Sequence, residues 1–208
     1  MNVEPITLEG QHVRLEPLSE QHGAGVLAAA TSQSIFQWMS FSLTSEPHWH
    51  GFLKRVSKMR EAGSALPFAI IAKSTNMLVG TTGYWHIEPH HHRLEIGGSW
   101  LTPDWQRTAA NSEAKFLLLR HAFETLGCIR VEFVTHVSNE QSKQALIRLG
   151  ATHEGVLRNH MIQPDGSLRH SACFSIIREE WPDVKHRMEQ RMAARAVAQQ
   201  SVRGGVPA

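Results

Sequence analysis

The stretch PDWQRTAANSEAK, at positions 103–115, lies between a strand-like and a strongly helical segment and has the residue types of an anion-binding loop. The first backbone N–H groups of a helix lack partners within the helix, so a phosphate can accept hydrogen bonds from them. Such loops are usually rich in glycine, which lets the backbone approach the phosphate closely. This stretch has no glycine and carries Arg107 in its middle. We therefore expect a phosphate-binding loop of modified composition, in which arginine adds a charge-assisted contact.

The composition of the chain is that of a globular protein with one domain. It has 208 residues, of which 41% are hydrophobic and 19% charged. No apolar run approaches the roughly 20 residues of a membrane span, and the N-terminus MNVEPITLEG lacks the features of a signal peptide. We therefore expect a cytoplasmic protein without a membrane partner. The net charge of +2 and the absence of a basic, aromatic stripe argue against a nucleic-acid partner.

Hydrophobic periodicity predicts the element order β-α-α-β-β-β-α-β-α-β-β. The clearest helix is NSEAKFLLLRHAFETLG, which carries one apolar stripe and stops at Gly127. The order predicts a mixed α+β domain over residues 1–184, with a mostly antiparallel central sheet and helices on both faces. Residues 185–208 are predicted to form a helical, then flexible tail that packs on its own domain or on a neighbour, and we expect a homodimer.

The histidine and cysteine residues are not predicted to bind a metal ion. Three adjacent histidines in HIEPHHHRLE cannot all face one ion, and the HExxH spacing is absent, so we expect an exposed turn and no metal site. The two cysteines, Cys128 and Cys173, lie far apart in apolar sequence and are interpreted as buried free thiols. His86 is kept as a candidate base because the unperturbed pKa of histidine lies near neutrality.

Six segments resemble, in order, the GNAT superfamily of acyl-CoA-dependent N-acyltransferases. Within it the chain is most similar to the branch of ribosomal-protein N-terminal alanine acetyltransferases. The resemblance covers residues 6–181 and rests on VRLEPL, LVGTTGYW, LEIGGSWLTPDWQ, NSEAKFLLLRHAFETLG, RVEFVTHVSNEQSKQALIRLGA and EGVLRNHMIQPDGSLRHSACFSIIREEW. It implies a GNAT-like fold, acetyl-CoA as co-substrate, an amine acceptor, and direct transfer without a metal.

The resemblance also assigns the contacts of coenzyme A (CoA). In the family a loop of the pattern Q/R-x-x-G-x-G/A surrounds the pyrophosphate. Here Gln106 matches the first position, whereas Arg107 and Ala109 stand where glycine is usual. The resemblance therefore assigns the pyrophosphate to the Arg107 side chain and to five backbone amides, those of Thr108, Ala109, Ala110, Asn111 and Ser112. It assigns the pantetheine to the end of the preceding strand, at Leu101 and Thr102. The alternative is that Arg107 is a solvated residue of a weakened site.

Three further residues receive catalytic or binding roles from the resemblance. Asn139 is expected to contact the pantetheine, and Ser142 to protonate the leaving thiolate; helix capping is a compatible alternative. Glu95, on the opposite strand face from its apolar neighbours, is the expected general base. A structural ion pair between Glu95 and an arginine of an adjacent strand is the alternative.

The acceptor site is expected in the variable segments. Trp38, Trp85 and His86 are candidate acceptor contacts, although aromatic clusters are also common in cores. Arg158, together with His160, suits an acidic or carboxylate-bearing acceptor. Three functions stay open at this point: an N-acetyltransferase acting on a peptide N-terminus or a small amine, a non-catalytic acyl-CoA-binding protein with a degenerate phosphate loop, and an enzyme that uses a longer acyl-CoA.

Overall fold

The computed structural model describes residues 1–163 and 165–203. Eight strands form one sheet in the order β1-β2-β3-β4-β5-β6-β8-β7, in which only the β5–β6 pair is parallel. The strands are β1 Leu8–Glu9, β2 Val13–Pro17, β3 Leu66–Ala72, β4 Met77–Glu88, β5 Arg93–Leu101, β6 Arg130–His136, β7 Thr152–Ile162 and β8 Leu168–Ile177. The helices are α1 Gly23–Ala29, α2 Glu46–Glu61, α3 Ala109–Arg120, α4 Glu140–Leu149 and α5 Trp181–Arg203.

Helices cover both faces of the sheet, which confirms the predicted α+β arrangement. One core cluster joins α1 and α2 to the sheet through side chains such as Trp49, Phe52 and Trp100. The larger cluster joins α3, α4 and α5 to the opposite face, where Leu94 and Ile96 of β5 meet Leu118 of α3. Alternation along β5 therefore directs Glu95 to the face of α1 and α2.

A buried carboxylate fixes the start of α3. Glu113 is 7% exposed, and its two oxygens accept the backbone N–H groups of Gln11, His12 and Val13 at 2.7, 2.7 and 2.8 Å. These contacts join α3 to the turn between β1 and β2, about a hundred residues earlier in the chain. The first turn of α3, which follows the predicted phosphate loop, is thereby held against the edge of the sheet.

The C-terminal helix packs on the domain. Its buried side chains Trp181, Val184 and Met188 belong to the larger core cluster, so the boundary predicted at residue 184 falls inside α5. The predicted flexible end, residues 204–208, lies outside the described residues. Within the described part of the chain, every helix is too short or too polar to cross a lipid bilayer.

Candidate active site

A gap opens in the sheet between β5 and β6. These strands pair over only three residues each, ending at Glu95 and Glu132, although β5 continues to Leu101 and β6 to His136. Beyond Glu95, the facing edges of the two strands therefore have no sheet partner among the described residues. An extended ligand that carries amide groups can form backbone-like hydrogen bonds with such edges.

The end of β5 directs one backbone amide into this gap. The Thr102 N–H donates to Val79 O of β4 at 2.9 Å. Because successive residues of a strand direct their amides to opposite sides, the Leu101 N–H points away from β4 and toward the gap. The Leu101 carbonyl accepts a hydrogen bond from the Gln106 side chain at 3.1 Å, which ties the next loop to the strand. Of the two predicted strand contacts, Thr102 thus uses its amide within the sheet, and Leu101 offers its amide to a ligand.

The predicted phosphate loop keeps a glycine-like backbone without glycine. Arg107 has a φ of +61°, in the left-handed region that costs a residue with a Cβ about 1 kcal/mol or more. The Thr108 side chain caps α3 by accepting the Ala110 N–H at 3.2 Å. Ala110 is therefore partly satisfied, whereas the helix geometry leaves the first-turn amides of Ala109 and Asn111 without partners inside the helix. The chain conformation at Arg107 is the one that the family's glycine adopts most readily.

The first turn of α4 lies at the open end of the gap. Asn139 caps this helix, because its Oδ1 accepts the Ser142 N–H at 3.0 Å. The capping alternative is thus present, and it leaves the two N–H groups of the Asn139 amide for a ligand. The Ser142 hydroxyl has no hydrogen-bond partner among the residues that the structure describes.

Glu95 and His86, the two candidate bases, are hydrogen-bonded to each other. The Glu95 Oε2 lies 2.9 Å from His86 Nδ1, and the side chains are 12% and 59% exposed. The hydrogen bond to Glu95 raises the pKa of His86 above its ordinary value, although desolvation opposes the shift. Within the described residues, the only ion-pair partner within 4.0 Å of the Glu95 carboxylate is this histidine. An arginine ion pair, the predicted alternative, is therefore not the contact that Glu95 makes.

The predicted aromatic contacts, Trp85 and Trp38, border two different parts of the sheet face that carries Glu95. Trp85 packs against the backbone of β5, so that a Cβ on Gly98 would lie 3.0 Å from Trp85 Nε1. This indole N–H is buried and has no partner among the described residues. Trp38 packs against His136 at the end of β6 in a tilted arrangement, with 4.8 Å between the ring centroids. Trp85 thus adjoins Glu95, and Trp38 adjoins the open end of the gap.

Lys115 was not predicted as a site residue. It extends from α3 to Ser99 of β5, with 2.6 Å between Nζ and Oγ, and Ser99 Oγ lies 2.8 Å from Thr82 Oγ1. The amine therefore contacts, from the α3 side, the part of β5 that continues beyond the residues paired with β6. Burial lowers the pKa of Lys115 to about 7, and the charge of Glu95 opposes this only in part. The sequence signal was a single cation inside the apolar run from Ala114 to Leu119.

A cleft of about 470 Å³ lies in front of Glu95. Its lining includes the carboxylates of Glu95, Glu132 and Glu154 and the guanidinium of Arg130, which forms ion pairs with Glu132 at 2.8 Å and with Glu154. His160 lines this cleft and also a neighbouring depression that contains Arg158. Of the predicted pair, His160 therefore borders the cleft in front of Glu95, and Arg158 borders the depression beside it.

Neither cysteine has the surroundings of a reactive thiolate. Cys128 is buried, as predicted, and burial raises its pKa to about 12. Cys173 is only half-buried, contrary to the prediction, because it lines the open cleft; burial still raises its pKa. Thiols with a raised pKa are poor nucleophiles. In residues 1–163 and 165–203, no group of three or more His, Cys, Asp or Glu side chains is arranged to hold a metal ion.

Most of the sequence matches a known family. A model described as the acetyltransferase (GNAT) domain matches residues 12–152, which include the gap, the loop and Glu95. The chain belongs to the GNAT acetyltransferase family. The predicted superfamily is confirmed, and with it the predicted reaction class, N-acetyl transfer, for which the family uses acetyl-CoA.

Individual GNAT proteins show the same likeness. A GCN5-related N-acetyltransferase from Brucella melitensis is 31% identical, with a TM-score of 0.85, and the match covers 92% of this chain and 87% of that one. YoaA of Bacillus subtilis (strain 168), named an uncharacterized N-acetyltransferase, is 24% identical over 172 residues, which are 82% of this chain and 96% of YoaA. RimJ from Mycobacterium smegmatis, solved with CoA-disulfide, has a TM-score of 0.76 at 20% identity and covers 90% of this chain and 95% of that one. At that identity, the likeness to RimJ shows the fold alone.

Proposed function

We propose that this GNAT domain transfers an acetyl group from acetyl-CoA to a primary amine by direct attack within a ternary complex. The single observation that carries the proposal is the gap between β5 and β6, where pairing ends at Glu95. It places the α3 loop and Lys115 on one side of the sheet and Glu95 on the other. A thioester bound in the gap can therefore be attacked by an amine that is bound in the cleft.

The residues around the gap fit acetyl-CoA. The Arg107 side chain and the unpaired first-turn amides of Ala109 and Asn111 would hold its phosphates, and the β5 edge and Asn139 would pair with the pantetheine amides. Bound there, acetyl-CoA supplies the activated acyl group.

Three groups would act in the transfer step itself. The Leu101 N–H would donate to the oxygen that gains negative charge, and the Glu95–His86 pair would take the proton from the amine. Ser142 is the proposed proton donor to the leaving thiolate. A covalent cysteine intermediate is not needed, which agrees with the raised pKa of both thiols.

An assay of thiol release tests this function. The purified chain is incubated with acetyl-CoA and a panel of primary amines and peptides, and free CoA is measured. The expected result is amine-dependent release of CoA and a product that is heavier by one acetyl group. Saturable CoA binding without turnover on a broad panel would instead support the non-catalytic acyl-CoA-binding protein. Competition between acyl-CoAs of different chain length tests the preference for acetyl.

Two substitutions of Arg107 distinguish the contribution of its side chain to CoA binding from the contribution of the loop backbone. Arg107→Ala is expected to weaken CoA binding about 3- to 10-fold at low salt and less at high salt, because an exposed ion pair is screened by salt. Arg107→Gly should lose the same contact but relieve the left-handed strain, so its melting temperature should exceed that of Arg107→Ala. Calorimetric titration with CoA at two ionic strengths measures the affinity, and exposed Arg120→Ala is the matched control. Equal affinity of wild type and Arg107→Ala at low salt would contradict a phosphate contact.

We expect the Lys115 amine to take up a proton when CoA binds. In the free protein its pKa lies at about 7 because of burial, and a nearby anion raises the pKa of a lysine. At about pH 8 the free amine is mostly neutral and the complexed amine mostly charged, so binding takes up a sizeable fraction of one proton. CoA affinity therefore falls as pH rises above about 7. Titration calorimetry in buffers of different ionisation enthalpy measures this uptake, which Lys115→Met should abolish. Identical uptake by both proteins would exclude Lys115 as the group.

A further inference from the structure

We propose that the amine acceptor also carries a carboxylate and that Arg169 binds it. This inference rests on the proposed function, because it concerns the acceptor side of the same site. It assigns a role to a residue of β8 that the sequence analysis did not single out.

Arg169 is a buried cation without a carboxylate partner. Its side chain is 7% exposed, and no carboxylate of the described residues lies within 4.0 Å of its guanidinium. Nε donates to Ser171 Oγ at 3.1 Å and Nη1 to the Trp38 carbonyl at 3.2 Å. A guanidinium has five N–H donors, so these two contacts leave donors for a ligand. An unpaired buried charge is costly, and proteins normally provide a partner of opposite sign.

A chain of polar contacts connects Arg169 to the cleft. Ser171 Oγ, which accepts from Arg169, lies 3.1 Å from His160 Nδ1, and His160 lines the cleft in front of Glu95. Glu95 itself lies close enough to act electrostatically on Arg169: burial lowers the pKa of the guanidinium, and the Glu95 charge raises it. Arg169 and the Glu95–His86 pair therefore belong to one electrostatic environment.

The two ends of this surface have opposite charge. Around Glu95 the cleft lining holds three carboxylates and one arginine; the residues are Glu95, Glu132, Glu154 and Arg130. Toward the hairpin of β7 and β8, the guanidinium of Arg169 and the imidazole of His160 lie on the same face of the sheet as Glu95, and Arg158 borders the neighbouring depression. An acceptor with an ammonium group at one end and a carboxylate at the other matches this distribution, because complementary potentials favour its orientation with the amine at Glu95. Free amino acids and peptides that contain an acidic group have this chemistry.

The alternative for Arg169 is a structural role. Its contact with the Trp38 carbonyl joins β8 to the segment between α1 and α2, so its removal could displace that segment. A structural role would lower turnover of all acceptors alike and would lower the melting temperature. A role in recognition would act only on acceptors that carry the carboxylate.

Matched acceptor pairs distinguish these roles. Amino acids and short peptides are each compared with the matching amide, made at the C-terminus or at an acidic side chain (Gln for Glu, Asn for Asp). The value of kcat/KM is measured by CoA release for wild type, Arg169→Gln, Arg169→Lys and, as a control, exposed Arg178→Gln. In wild type and Arg178→Gln the carboxylate should be preferred about 10- to 100-fold, the range expected for one charge-assisted pair. Arg169→Gln should lose this preference and keep the amide within about 3-fold of wild type. Arg169→Lys should retain part of it, because the charge stays but the planar fork is lost.

Two results would overturn the proposal. Equal use of both members of every pair by wild type would show that no carboxylate is recognised. An equal loss for both members in Arg169→Gln, with a lower melting temperature, would assign Arg169 to the support of the Trp38 segment. Binding of CoA with no turnover of any acceptor is a different failure: it would overturn the proposed N-acetyl transfer, and the acceptor proposal with it.

Discussion

Glu95→Gln is expected to lower kcat for acetyl transfer by about 100- to 10,000-fold, the usual contribution of a positioned base. The substitution keeps the shape of the side chain but removes the charge that holds His86 at 2.9 Å. CoA affinity should stay near that of wild type, because the phosphate loop lies at the other end of β5. Stopped-flow or steady-state measurement of CoA release gives kcat, and calorimetry gives the dissociation constant of CoA.

The pH profile shows which member of the pair accepts the proton. Hydrogen bonding to Glu95 raises the pKa of His86 above 6.5, and only neutral histidine accepts a proton. If His86 is the base, the wild-type rate increases as pH rises through this raised pKa. In Glu95→Gln the residual rate should then increase at lower pH, because the pKa of His86 falls toward its ordinary value. If Glu95 is the base, His86→Asn should retain most of kcat.

Glu61→Gln, at the exposed end of α2, is the matched control for loss of one carboxylate. It should change neither kcat nor the pH profile. A wild-type kcat in Glu95→Gln would exclude Glu95 as the base and leave His86 as the remaining candidate.

The position of Glu95 could be predicted from the sequence, but its hydrogen bond with His86 could not, because that contact depends on local backbone geometry. Glu95 follows from strand alternation, because its neighbours Leu94 and Ile96 are apolar and face the core. The same alternation along β4 would direct His86 to the face opposite Trp85. Instead His86 has a φ of +45°, and the register of β4 and β5 shifts after Trp85. This bulge re-aims the histidine toward Glu95, as bulges near active sites often do.

Burial of charged residues was the second feature that sequence reasoning could not supply. The hydrophobic stripe predicted α3 correctly, yet Lys115 and Glu113 on the same helix are held by contacts with β5 and with the β1–β2 turn. Arg169 likewise contacts the α1–α2 segment, through the Trp38 carbonyl. Such contacts join residues that are distant in the chain, so periodicity within one element carries no signal of them.

Glu113→Ala is expected to lower the free energy of unfolding by about 3–5 kcal/mol, because three backbone N–H groups, of which that of Val13 is buried, lose charge-assisted acceptors. For a chain of this size the melting temperature should fall by about 6–20 °C. Calorimetry or urea unfolding followed by circular dichroism measures the change. Glu140→Ala, which removes an exposed carboxylate from α4, is the matched control and should change the stability by less than about 1 kcal/mol.

Glu113→Gln refines this prediction by changing only the acceptors. The amide keeps the size of the side chain but has one acceptor oxygen, and its NH₂ group would face backbone donors. It should therefore destabilise the fold nearly as much as alanine does, which a purely steric role of Glu113 would not produce. Wild-type stability of Glu113→Gln would contradict the hydrogen-bonding account. Because the same contacts hold the start of α3, both variants should also weaken CoA binding, whereas Glu95→Gln should not. This outcome would separate a carboxylate that positions the proposed phosphate loop from one that serves the proposed acceptor site.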